Sequence, residues 1–171
     1  PATIFLPTDY VGSDEWFWPD QLAFLCKAVA DRKESAEYLK RIEGVVSGFL
    51  DGDIPPLVEA MARHQQVADQ IIERCKHLPI KRIRELVHAL ASELRVTLPL
   101  GRVIVNWDEV REMSQGGVSF GSHSCTHRIM TTITSDEVSE ELTRSRQILA
   151  DQCVNYVPVY CYPNGNSDAH I

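Results

Sequence analysis

The chain has 171 residues, 44% hydrophobic and 24% charged, a make-up that fits one soluble globular domain with a sizeable core. Its 17 Lys and Arg against 24 Asp and Glu leave a formal net charge of -7, which offers no broad attraction to phosphate backbones or anionic membranes and excludes nucleic acid as the expected partner. The apolar runs fall far short of the roughly 20 residues a membrane helix requires, and no basic region followed by an apolar stretch opens the sequence.

Residues 2–6, ATIFL, form a short β-rich run closed by Pro7 and predict a buried strand, followed by a loop around Gly12. Pro19 stands where a first helical residue would, with Leu22, Leu25, Cys26 and Val29 at helical spacing behind it, so a helix is expected to about Ala30. From about Ser35 to Leu94 the spacing stays helical, through Leu39, Ile42, Val46 and Phe49, then Leu57, Met61, Ala68, Ile71 and Ile72, then Ile83, Leu86, Val87, Leu90 and Leu94. Residues 51–56 and 77–79 separate these helices. Such stripes are read as packing faces, and the block is assigned no chemistry.

Asn106 to Met113 reads as a short helix opened by a polar cap, broken at Gly116 and Gly117 before a strand at Val118-Ser119-Phe120. That strand runs directly into Gly121-Ser122-His123. Thr134 and Glu137 have the spacing of a capping box, and the helix they open carries Val138, Leu142, Ile148 and Leu149. Val157 to Tyr162 supplies another strand, followed by the turn residues Pro163, Asn164 and Gly165. Strands alternating with helices imply a parallel α/β sheet or barrel, whose sites lie at the carboxyl ends of the strands. The histidine segment and the turn both fall at such ends.

His123 and His127 stand four residues apart, so a helical turn starting at the strand end would bring both imidazoles to one face and let two nitrogens share a metal. Random placement of six histidines predicts only about 0.2 such pairs in the chain. The competing reading is a pair of hydrogen-bonded loop histidines without metal. A further one makes Cys125 a nucleophile activated by a neighbouring histidine, although a helical turn would aim it away from both. Ser122, Ser124 and Thr126 either hold the loop or satisfy nearby backbone groups.

Gly121-Ser122-His123-Ser124-Cys125-Thr126-His127 resembles the histidine motif of the NodB-type polysaccharide deacetylases, carbohydrate esterase family four. Residues 1–8 are similar to that family's second barrel strand, residues 107–113 to the helix before the histidine motif, and Tyr162-Pro163-Asn164-Gly165 to a later turn bordering the substrate site. The resemblance implies an α/β fold, a partial, distorted (β/α) barrel of the polysaccharide deacetylase type with an inserted helical block. Residues 1–171 would be part of the catalytic domain, and the insertion would span about 35–100. It implies that His123 and His127, with one aspartate, bind a divalent metal, commonly zinc, which polarises an acetyl carbonyl and activates water. It further implies that the Asn164 backbone N–H stabilises the tetrahedral oxyanion and that Tyr162 and Pro163 border the substrate. The activity implied is hydrolysis of acetyl groups from an N-acetylated polysaccharide or saccharide. The family's paired aspartates belong before Pro1 and its later motifs after Ile171, so these residues are expected to be a catalytically incomplete part of a longer enzyme; neither Asp168 nor His170 matches those motifs.

Two further function classes stay open: a non-catalytic carbohydrate-binding or interaction module, and a related metal hydrolase of small amides with a closed pocket. Trp16, Phe17 and Trp18 invite sugar stacking if exposed together, and packing otherwise. The five cysteines, Cys26, Cys75, Cys125, Cys153 and Cys161, are odd in number and form no C-x-x-C pair, which favours reduced thiols and leans towards the cytoplasm.

Overall fold

The computed structural model describes residues 2–32, 35–50, 64–152 and 155–168. The chain divides into two units, residues 17–99 and residues 1–16 with 100–171.

The first unit is helical. It contains α1 (Trp18–Asp31), α2 (Ala36–Ser47), α3 (His64–Cys75) and α4 (Ile80–Leu94). Pro19 sits in the first turn of α1, where its missing N–H is no loss. The Ser35 hydroxyl accepts the Tyr38 N–H at 3.3 Å to cap α2. Arg95 ends α4 in the left-handed region at φ 51°, which lets the Val96 N–H bond back to the Ala91 carbonyl at 3.0 Å. The periodic residues Leu22, Leu25, Ile42, Val46, Ile71, Ile83, Leu86, Val87, Leu90 and Leu94 all enter one buried cluster, each contributing roughly 1.5–3 kcal/mol through burial. The apolar stripes of this block are therefore core. Leu57, Met61 and the 51–56 break lie outside the described residues.

The second unit carries β1 (Thr3–Leu6), α5 (Trp107–Gln115), β2 (Ser119–Ser122), α6 (Ser135–Gln152) and β3 (Tyr156–Tyr160). The strands pair in parallel in the order β1-β2-β3. Asn106 and Glu109 close the capping box of α5 through two hydrogen bonds of 2.8 Å. Gly117, at φ 92°, ends that helix with a Val118 N–H to Met113 carbonyl bond of 3.0 Å and turns the chain into β2. The expected capping box of α6 also forms, with Thr134 N–H donating to the Glu137 carboxylate at 2.9 Å and Glu137 N–H to the Thr134 hydroxyl at 3.3 Å. Leu6, Val11, Val110, Phe120 and Leu149 bury together as this unit's core.

These elements are an α/β arrangement, as the alternation of strands and helices implies. The sheet of the described residues has three strands, and three strands do not close a barrel. No helix of the described residues is long and apolar enough to cross a membrane. The aromatic residues 16–18 do not form one exposed cluster: Trp18 is buried in the helical core, and the Trp16 indole N–H donates to the Gly101 carbonyl at 3.0 Å.

Two irregularities set the register at the strand ends. Phe120 faces Tyr156 and Ser122 faces Tyr160, so residues 157–159 of β3 stand against Gly121 alone. Pro158 lies in that stretch and has no N–H to give the ladder, which accounts for the bulge. Gly121 itself is closely covered, since a Cβ there would lie 2.6 Å from the Phe5 ring and 2.9 Å from the Val159 carbonyl oxygen. A ring can swing aside; a strand carbonyl cannot. Gly121→Ala should lower the free energy of unfolding by about 1–3 kcal/mol, measured by urea denaturation, and an unchanged midpoint would show that the strands can spread.

Candidate active site

The carboxyl ends of the three strands converge through backbone hydrogen bonds. The His123 N–H donates to the Leu6 carbonyl at 3.1 Å, Thr8 N–H to Ser124 O at 3.1 Å, Asp9 N–H to Cys125 O at 3.0 Å, and Cys161 N–H to Ser122 O at 2.9 Å. His123 therefore leaves β2 between the ends of its two neighbours.

The segment from His123 to His127 is a bend, not the helical turn that the four-residue spacing suggested. Ser124 and His127 both sit in the left-handed region, at φ 68° and 58°. The two imidazoles nevertheless meet, edge to face, with centroids 4.7 Å apart. A left-handed conformation costs a non-glycine residue on the order of 1–2 kcal/mol and persists only where the surroundings over-determine it.

Those surroundings are identifiable. The Ser124 hydroxyl accepts the His127 N–H at 2.9 Å, and the Ser122 hydroxyl accepts the Ser124 N–H at 3.3 Å while lying 2.6 Å from the Ser145 hydroxyl. Glu141, buried on α6, takes the N–H groups of Cys125 and Thr126 on one carboxylate oxygen at 2.7 and 2.9 Å, and the Thr126 hydroxyl on the other at 2.6 Å. Hydrogen bonds to a carboxylate contribute roughly 1.5–3 kcal/mol each, enough together to offset two left-handed residues. Ser122 and Ser124 thus satisfy local backbone groups, and Thr126 bonds across to α6.

His123 Nδ1 lies 2.8 Å from the Cys161 carbonyl oxygen, which can only accept, so the ring donates from Nδ1. In the neutral ring Nε2 then carries the lone pair. His127 is half-buried, and burial first, then the neighbouring His123, lowers its pKa from 6.5 to about 4. At neutral pH its imidazole is uncharged. Cys125 is fully buried, its thiol donates to the Glu141 backbone carbonyl at 3.6 Å, and burial raises its pKa. A thiol so placed is a poor nucleophile.

The later turn comes to the same end of the sheet. Tyr162 is half-buried, packs edge to face on Tyr160 with centroids 4.9 Å apart, and lines a cavity of about 420 Å³ with Thr131, Ser139, Leu142 and Asp168. Pro163 is fully buried and shapes the turn. The turn closes through the Gly165 N–H to Tyr162 O at 2.9 Å and the Asn166 N–H to Pro163 O at 3.5 Å. The exposed Asn164 takes φ 58°, a left-handed position that asparagine tolerates better than most side chains, and its own N–H is not used in closing the turn.

Among the described residues no group of three or more His, Cys, Asp or Glu side chains is placed to hold a metal ion. His170 lies outside them. Sequence reasoning also passed over Glu141 and Ser145. Their signal is positional: Val138, Glu141, Ser145 and Leu149 fall at helical spacing on the one buried face of α6, where a glutamate is out of place unless it has partners.

The lowered pKa of His127 has a sign. Between about pH 4 and 6.5 the unfolded chain binds the proton that the folded chain refuses, so stability is full above 6.5 and falls as pH drops towards 4. Metal-free protein should show this slope in urea denaturation, and His127→Gln should flatten it. An equal slope in the variant would assign the effect to another group.

Among protein-family models, that of polysaccharide deacetylase matches residues 82–171. This span contains β2, the histidine bend, α6, β3 and the Tyr162 turn, and leaves residues 1–8 outside it. No curated protein and no solved structure compared with the chain matches it.

Proposed function

This chain belongs to the polysaccharide deacetylase family, and from that premise we propose that it carries the metal-binding face of an enzyme that hydrolyses acetyl groups from an N-acetylated polysaccharide or saccharide. The observation that carries the reading is the meeting of the His123 and His127 rings, 4.7 Å apart, at the carboxyl ends of parallel strands beside the Tyr162 turn.

The donor set fits a divalent cation in kind. His123 is oriented by a backbone carbonyl, the arrangement that presents Nε2 to a metal, and His127 is held neutral, as an imidazole ligand must be. Zinc suits nitrogen ligands of this type and takes a third protein ligand at a catalytic site. A carboxylate is the expected third, from outside the described group. When bound, the metal supplies Lewis-acid polarisation of the acetyl carbonyl and activation of water. The protein's own share is to hold His123 and His127 fixed and to offer the Asn164 backbone N–H to the developing oxyanion. Tyr162 borders the saccharide, and buried Pro163 contributes through the shape of the turn. In this reading the three strands are a segment of the family's barrel, and the helical block of about 35–100 is an insertion in its catalytic domain.

A non-catalytic carbohydrate-binding module is the second reading, and the two-histidine grouping among the described residues is what favours it. Acetate release by the full-length protein separates the two. The hydrolase reading expects release from an N-acetylated oligosaccharide, abolished in a His123→Ala, His127→Ala double variant; release that persists unchanged in that variant after metal is stripped would sink it.

A further inference from the structure

We infer that Glu141 is the positioning residue of the histidine pair, a carboxylate that touches neither ring and sets the distance between them. The inference deepens the metal-site reading above and rests on it for its affinity readout.

Glu141 is 7% exposed, in a helix whose other charged side chains reach solvent or surface ion pairs. A buried carboxylate needs partners, and its partners are all in the bend: the Cys125 and Thr126 N–H groups and the Thr126 hydroxyl. Neither N–H has a strand or helix to enter, because Ser124 and His127 flank them in the left-handed region. Without the carboxylate, the backbone could recover both bonds only by turning Cys125 and Thr126 outwards, and His127 would move with them. The bend is thus fixed from one side by strand-end hydrogen bonds at Ser124 and Cys125, and from the other by Glu141. The same helix adds Arg128–Glu137 at 2.8 Å and Ser145–Ser122 at 2.6 Å, which hold the residues on either side of the bend, and Arg144–Asp9 at 2.7 Å, which holds the segment after β1. Among the described residues of α6, Glu141 is the one whose carboxylate bonds to residues between the two histidines.

Glutamine in its place can still accept both N–H groups on its oxygen and turn its amide NH2 towards the Thr126 oxygen. Alanine can do neither.

The test uses the whole chain with Zn2+ alone, titrated calorimetrically, together with ring-to-ring NOEs between His123 and His127 in histidine-labelled protein. Glu141→Ala should weaken Zn2+ binding about 10- to 100-fold, the range for residues that orient metal ligands, and lose the ring NOE. Glu141→Gln should stay close to wild type in both. Thr134→Ala, which uncaps α6 without touching the bend, should lower the melting temperature and leave Zn2+ affinity and the NOE unchanged. Wild-type affinity and an intact NOE in folded Glu141→Ala would overturn the inference while leaving the metal site standing. If wild type binds no Zn2+, the metal reading fails, and the NOE alone decides for or against Glu141. Should Glu141→Ala not fold, Thr126→Val takes its place: loss of one carboxylate partner should weaken Zn2+ binding and the NOE, and no change in either would overturn the inference.

Discussion

Two backbone N–H groups in a tight bend, those of Cys125 and Thr126, belong to no ladder and cannot be left unpaired in a buried position. The Glu141 carboxylate takes both, and much of the α/β unit is arranged so that it can. The helix that carries it opens at the Thr134 and Glu137 box, which satisfies the first turn. Its polar side chains must face the strand ends, which the three- and four-residue spacing of Val138, Glu141, Ser145 and Leu149 provides. The sheet must present the bend to that helix, which the short stretch of β2 does by ending at Ser122.

The balance is between local strain and local satisfaction. Two non-glycine residues in the left-handed region are unfavourable alone and acceptable when every N–H around them has an acceptor. Ser124 illustrates both sides, being itself left-handed while its hydroxyl accepts the N–H of His127, the other left-handed residue. The N–H groups of residues 123–127 each have an acceptor, and fixed placement is what a pair of ring nitrogens needs to bind one ion.

Much of this was legible in the amino-acid sequence, and the limits were physical. Caps and breaks are local chemistry, so the Asn106 cap, the Thr134 box and the glycine stop after α5 could be read directly. The helical block announced its core through spacing alone. The proximity of His123 and His127 was anticipated for the wrong reason: spacing suggested a helical turn, and the rings meet through a bend whose left-handed residues carry no sequence mark. Glu141 was hidden because a glutamate in a helix is ordinarily solvated, and only its tertiary partners reveal otherwise. The β3 register was hidden too. Pro158 signals a disrupted ladder, but not that three residues would face Gly121.

The hydrogen bond from His123 to the carbonyl of Cys161 has a different kind of consequence. Its acceptor is main chain, so no side-chain replacement at position 161 deletes it, and the residue there is free to drift in identity without loosening the ring. The vulnerability is displaced instead to positions that set where the carbonyl lies: Pro158, whose missing N–H lets β3 bulge, and Gly121, whose bare backbone lets the strand approach. A mutation that breaks this one hydrogen bond would therefore arise at residues with no functional group to lose.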